Sequence, residues 1–210
     1  MDDILKYNIE IQKNLDAINS FRSNIISADM LVFYCVDNST IRAFGATAQK
    51  YSPLSLFRNW AYSYLTSKQT ISRIEERLEF DEVHAEARYK LMRFWNDKEG
   101  KSTIFYFQAN KLIDLLFKFM SWCNLFSVET RGYIFENAHV PLDRYALSHL
   151  KKYSSNCNDI PASASMGYVK SEKEYQRFQT EIKRLCGKYP GIVFDIVAQN
   201  STYKFDLKEK

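Results

Sequence analysis

The sequence predicts an all-α fold, mainly helical with at most one or two short strands, and three observations predict it. Only six glycines and four prolines interrupt 210 residues, too few for the many turns of an all-β design. Apolar residues recur at spacings of three and four through much of the chain, which is the period of a helix face. Helix-capping residues open several of those stretches. At 46% hydrophobic and 15% aromatic, the chain has enough apolar surface to offset the ordering entropy of folding.

The first helix is expected over residues 2–21, where Asp2 and Asp3 cap it and Ile4, Tyr7, Ile11, Leu15 and Ile18 form one face. Residues 28–36 are short and partly β-branched, so a buried helix turn and a short strand both fit. Gly45 and Ser52-Pro53 mark the next break, with Pro53 suited to the first turn of a new helix. Helices follow over 53–66 and 69–96. In the second, Ile71, Ile74, Leu78, Ala85, Tyr89, Met92 and Phe94 or Trp95 make the apolar stripe, and Glu75, Glu76, Arg77, Glu86 and Arg88 a solvated face. The polar run 96–102 reads as a loop and as the internal boundary. It divides an N-terminal helical subdomain, 1–97, from a C-terminal one, 98–210, closely packed with a cleft between them.

Residues 103–124 are apolar on nearly all sides and predict a central helix. A loop is expected around 128–137, which contains Gly132; Pro141 then starts a helix to about Lys152, and 153–168 reads as a surface loop. Ser171-x-x-Glu174 is a capping box for a helix that ends at Gly187, with Pro190 beyond. Residues 191–199 fit a short helix or strand, and the tail from Ser201 is polar and expected to fray.

No apolar run reaches the roughly 18–20 residues that span a bilayer. The opening MDDILKYNIEIQ lacks the basic start and apolar stretch of a secretory leader, so a soluble, cytoplasmic chain is expected. Cys35, Cys123, Cys157 and Cys186 are far apart and form no Cys-x-x-Cys pair, three of them in predicted helices. Reduced, mostly buried thiols are therefore expected rather than a disulfide frame or a zinc site. Glu79, Glu82 and His84 lack the Glu-x-x-His spacing, so no metal is expected, and no motif calls for a cofactor. The net charge of +4 permits nucleic-acid binding, with the basic residues concentrated in 144–152 and 170–189.

One arrangement carries chemistry. Lys111 stands near the start of the central helix, and Asp143 is expected in the first turn of the helix opened by Pro141. A helix N-terminus and apolar walls both disfavour the ammonium form, which leaves an amine able to form a Schiff base with a sugar carbon. A carboxylate at a helix start stays ionised and stabilises an oxocarbenium-like centre. The plainer roles are a surface lysine, an aspartate cap, an Arg144 paired with a carboxylate, and Lys151 and Lys152 complementing a helix C-terminus. Trp60, Trp95 and Trp122 fall on apolar stripes and are expected in the core.

Lys111-Leu112-Ile113-Asp114-Leu115-Leu116 and His139-Val140-Pro141-Leu142-Asp143-Arg144-Tyr145 resemble two motifs of the helix-hairpin-helix DNA glycosylases, the family of endonuclease III and 8-oxoguanine glycosylase. The likeness covers about residues 104–152. It implies an all-α fold and excision of a modified or damaged base by base flipping, with Lys111 as nucleophile and Asp143 as acid/base and charge stabiliser. AP-lyase activity would accompany the lysine chemistry. Duplex DNA carrying the modified base would be the partner. Phe105 and Phe107 would hold the base or fill its gap, and Gln108, Asn110, Arg144, Tyr145, Lys151 and Lys152 would complete the contacts. The sequence departs from the family's pattern in having no glycine in Phe107-Gln108-Ala109-Asn110 and in having Tyr145 in place of a histidine. The competing class is a non-catalytic helical module of a bacterial regulatory or phage-defence system that binds a protein partner.

Overall fold

Local capping places the helices. In the computed structural model, which describes residues 2–15, 25–41, 44, 47, 50–77, 79–100 and 103–206, the Asp2 carboxylate accepts from the Ile4 amide at 3.1 Å and opens α1 (Asp3–Lys13). Tyr7 and Ile11 are its buried face. The expected continuation through Ile18, and the break at Gly45, lie outside the described residues. Ser27 caps α2 (Ala28–Cys35) through the Met30 amide at 3.2 Å, so the ambiguous segment is a helix. The short α3 (Asn38–Ile41) follows, and then α4 (Pro53–Thr66), with Pro53 in its first turn as expected.

The single helix expected over 69–96 is two: α5 (Lys68–Glu75) and α6 (Phe80–Glu99). Arg77 takes φ +53°, a left-handed conformation that cannot continue a helix. Leu78 of the expected stripe is outside the described residues. In turn, Asn96 to Glu99 are not a loop but the last turn of α6. Nothing in them breaks a helix, and the break comes at Gly100, whose φ of +76° suits a residue without Cβ.

The central helix is shorter than expected, α7 (Tyr106–Met120). The expected loop at 128–137 is a helix, α8 (Val128–Asn137). Ser127 Oγ accepts from the Thr130 amide at 3.1 Å and starts it. Gly132 is tolerated within it, at a cost of about 1 kcal/mol relative to alanine. α9 (Arg144–Tyr153) starts three residues after Pro141, not at it. Residues 155–157 and 166–168 form 3-10 turns, and Cys157, Ile160 and Ala164 are buried, so this stretch is more than a surface loop. The capping box is formed: Glu174 N–H donates to Ser171 Oγ at 3.2 Å and Ser171 N–H to Glu174 Oε2 at 3.1 Å, opening α10 (Glu172–Cys186). Gly187 ends it with φ +59°. The last helix, α11 (Ile192–Asp206), runs on through the residues expected to fray as far as Asp206.

The fold is all-α, with no strand among the described residues. No helix among them is long and apolar enough to cross a membrane. The four cysteines are buried free thiols, two of them in α-helices rather than three. Trp60, Trp95 and Trp122 are buried, as their stripes predict.

The chain forms two units. The first joins residues 1–22 to 135–210, and the second is the intervening 23–134. Residues 97 and 98, where the sequence suggests a division, both lie inside α6 of the second unit. In the first unit, α1 packs on α10, α11 and α9. Its core is aromatic: Tyr7 stacks on Phe194 with ring centroids 4.9 Å apart. In the second unit, α2 packs on α4 and α7, and α6 on α4 and α7. Phe57, Leu65, Leu91, Trp95, Leu112 and Leu116 fill it.

Candidate functional site

The sequence-predicted residues fall into two groups, one in each unit. Phe105, Phe107, Gln108, Asn110 and Lys111 belong to the second unit and Asp143, Arg144, Tyr145, Lys151 and Lys152 to the first.

In the second unit they occupy the start of α7. Phe105, the residue before the helix, is 52% exposed. Its ring lies parallel to that of Phe107, with centroids 5.5 Å apart and 10° between the planes. Gln108 is buried and accepts the Phe105 amide at 3.0 Å, which locks the stacked pair to the helix start. Phe107, Lys111, Leu115 and Phe119, four residues apart, are the half-buried stripe of a helix whose other faces are mostly buried. Lys111 makes no ion pair or hydrogen bond among the described residues. It lies in the second turn of α7.

The face of α7 turned to α6 is polar in an otherwise apolar contact. His84 Nε2 lies 2.8 Å from Asp114 Oδ1, both groups buried. One turn along, the Arg88 guanidinium lies over the Tyr106 ring at 4.6 Å and donates to Tyr106 Oη at 3.0 Å and to Asn110 Oδ1 at 3.3 Å. Arginine can only donate, so Asn110 must face it with oxygen. Asn110 Nδ2 is then buried with no acceptor among the described residues. A carboxylate against an imidazole fixes its tautomer and orientation, a common part of acid–base machinery. In sequence His84 stands beside Glu79 and Glu82, whereas its partner in the fold, Asp114, is thirty residues on. The signal was available: Tyr106, Asn110, Asp114 and Lys118 recur every four residues in the most apolar helix of the chain. Lys118, too, is buried, its ammonium 4.9 Å from the Trp122 ring centroid.

In the first unit, the His139–Asp143 segment is held rigidly. Gln179 accepts the Val140 N–H at 3.0 Å and donates to the Val140 carbonyl at 2.8 Å. His139 Nδ1 lies 3.0 Å from the Tyr175 hydroxyl, and Val140, Pro141 and Leu142 are buried. That clamp fixes Asp143 as the N-cap of α9, outside its first turn. The carboxylate accepts from the Tyr145 and Ala146 amides at 2.8 and 3.0 Å. Asp143→Ala is expected to lower stability by about 0.5–2 kcal/mol, while Asp143→Asn, an equally good cap, leaves it nearly unchanged. Urea unfolding of both variants checks this; equal losses would show that the cap contributes little.

The remaining four residues have partners of their own. The Arg144 guanidinium lies 5.4 Å from the Tyr145 ring centroid, and Lys152 Nζ 4.7 Å from that of Tyr153. Lys151 Nζ donates to the Ile160 carbonyl at 2.6 Å, tying the following loop to α9. Arg144, Lys151 and Lys152 are all exposed.

No protein-family model, no curated protein and no solved structure matches this chain.

Proposed function

We propose that the chain is a DNA N-glycosylase that acts on a modified or damaged base, with Lys111 as nucleophile. The observation that carries this reading is the parallel Phe105–Phe107 pair, exposed at Phe105 and half-buried at Phe107, one helical turn before a half-buried amine free of ion pairs among the described residues. Flat aromatic faces hold unstacked bases at about 1–3 kcal/mol per base without regard to sequence, and excision chemistry needs a base out of the duplex stack.

The chemistry follows from the amine. The Lys111 amine nitrogen bonds to the sugar C1′ as the bond from C1′ to the base breaks, and the base leaves with the bonding pair and takes up a proton. Opening of the sugar ring gives an imine, which eliminates the 3′ phosphate when a lyase step follows.

The test uses duplexes that each carry one candidate lesion, with base release measured directly and borohydride added to reduce the imine to a stable protein–DNA adduct. Release from at least one duplex is expected. Lys111→Gln should abolish the adduct. Full activity in this variant would remove the assignment of Lys111, and no release across the panel would remove the activity.

A further inference from the structure

A groove on the second unit, distinct from the start of α7, has no part in this chemistry. It runs between α2 and α4, and Asp29, Val32, Phe33, Arg58 and Tyr62 line it. On α2, Asp29, Val32 and Phe33 stand three and four residues apart; on α4, Arg58 and Tyr62 stand four apart, so each helix presents one continuous face. The aromatic residues there are unusually exposed for their size: Phe33 58%, Tyr62 44%, and the adjoining Tyr34 55%.

The charges on the groove are not consumed within the unit. The Arg58 guanidinium lies over the Phe33 ring at 4.6 Å and donates one hydrogen bond, to the Phe33 carbonyl at 3.0 Å. Its Nε is buried with no acceptor, and no carboxylate pairs with it among the described residues. Asp29 is exposed, with no cation paired to it among those residues.

We infer that this groove docks a segment of a partner protein that presents an apolar side chain between a carboxylate, for Arg58, and a cation, for Asp29. Exposed aromatic rings around an arginine are the composition of interface anchor sites, and paired helix faces form the kind of groove that receives such a segment. The balanced charge decides against a nucleic acid in this groove. Binding to a polyanion rests on a surplus of cations over phosphates, and here one aspartate offsets one arginine. The inference does not depend on the glycosylase reading.

The test pans a phage-displayed library of 12-residue peptides on the full-length chain and measures the enriched peptides by fluorescence polarisation. Enriched sequences should share an acid and a base that flank an apolar residue. Their affinity should fall at least about tenfold in Arg58→Glu and in Tyr62→Ala. Both positions are on the exposed groove, and circular dichroism verifies that the variants fold. The double exchange Asp29→Lys with Arg58→Glu should prefer peptides with the charge order reversed. No enrichment, peptides that bind the variants as well as the parent, or a fluorescein-labelled oligo(dT) whose binding depends on Arg58 would each overturn the proposal.

Discussion

Between pH 6.5 and pH 4 the first unit is expected to lose roughly 3 kcal/mol of stability through one side chain, His149. This imidazole is buried among Tyr153, Phe194 and Tyr7, with ring centroids 5.2, 6.0 and 6.4 Å away. Its Nδ1 has no partner among the described residues. Burial first, and then the positive charge of Lys152, push its pKa from 6.5 to about 4. The unfolded chain takes up this proton below about pH 6.5, while the native unit refuses it until about pH 4. Unfolding therefore binds a proton within that window, so stability falls as pH falls, and below it both states are protonated and the effect levels off. The carboxyls of Asp3, held low by bonds from Ser155, and of Asp159, held low by Arg177, act at lower pH. The two effects are thus separable. Hydrogen exchange at α9 amides at pH 7 and pH 4.5 reads the change, and His149→Phe should flatten it. An unchanged slope in that variant would rule His149 out.

The second large effect is in the other unit. Trp95→Ala should cost about 3–5 kcal/mol. The indole is fully buried in α6, beside Phe44, and its Nε1–H donates to the Thr47 carbonyl at 2.7 Å. Truncation opens a cavity and orphans that carbonyl. Trp95→Phe keeps most of the volume and should cost less, about 1–3 kcal/mol from the lost bond. Urea midpoints for the two variants give the ordering. A loss below 1 kcal/mol in the alanine variant would mean that the surrounding side chains collapse into the space.

What could be read from the sequence was what neighbouring residues decide among themselves. The Asp2 cap, Pro53 in a first turn, the Ser171–Glu174 box and Gly187 as a stop all involve contacts within a few residues, and all are found. The misses have two physical origins. Polar composition is a poor guide to helix ends: 96–99 and 128–137 are helical despite their polar residues and Gly132, because caps and packing outweigh propensity. The other origin is tertiary. The pairing of His84 with Asp114, the Arg88–Asn110 contact and the Gln179 clamp on Val140 join residues 22 to 39 positions apart. Of the candidate site, Asp143 was legible as a helix-start carboxylate, while its clamp was not.

The first unit joins residues 1–22 to 135–210, and synthesis supplies those two segments at different times. A ribosome that has released residues 23–134 has delivered every part of the second unit. At that moment Tyr7 and Ile11 on α1 still lack the Phe194 and α10 surfaces that later cover them. α1 must therefore wait, apolar face uncovered, until α10 and α11 have emerged. In the cell, this leaves α1 open to a chaperone during that interval.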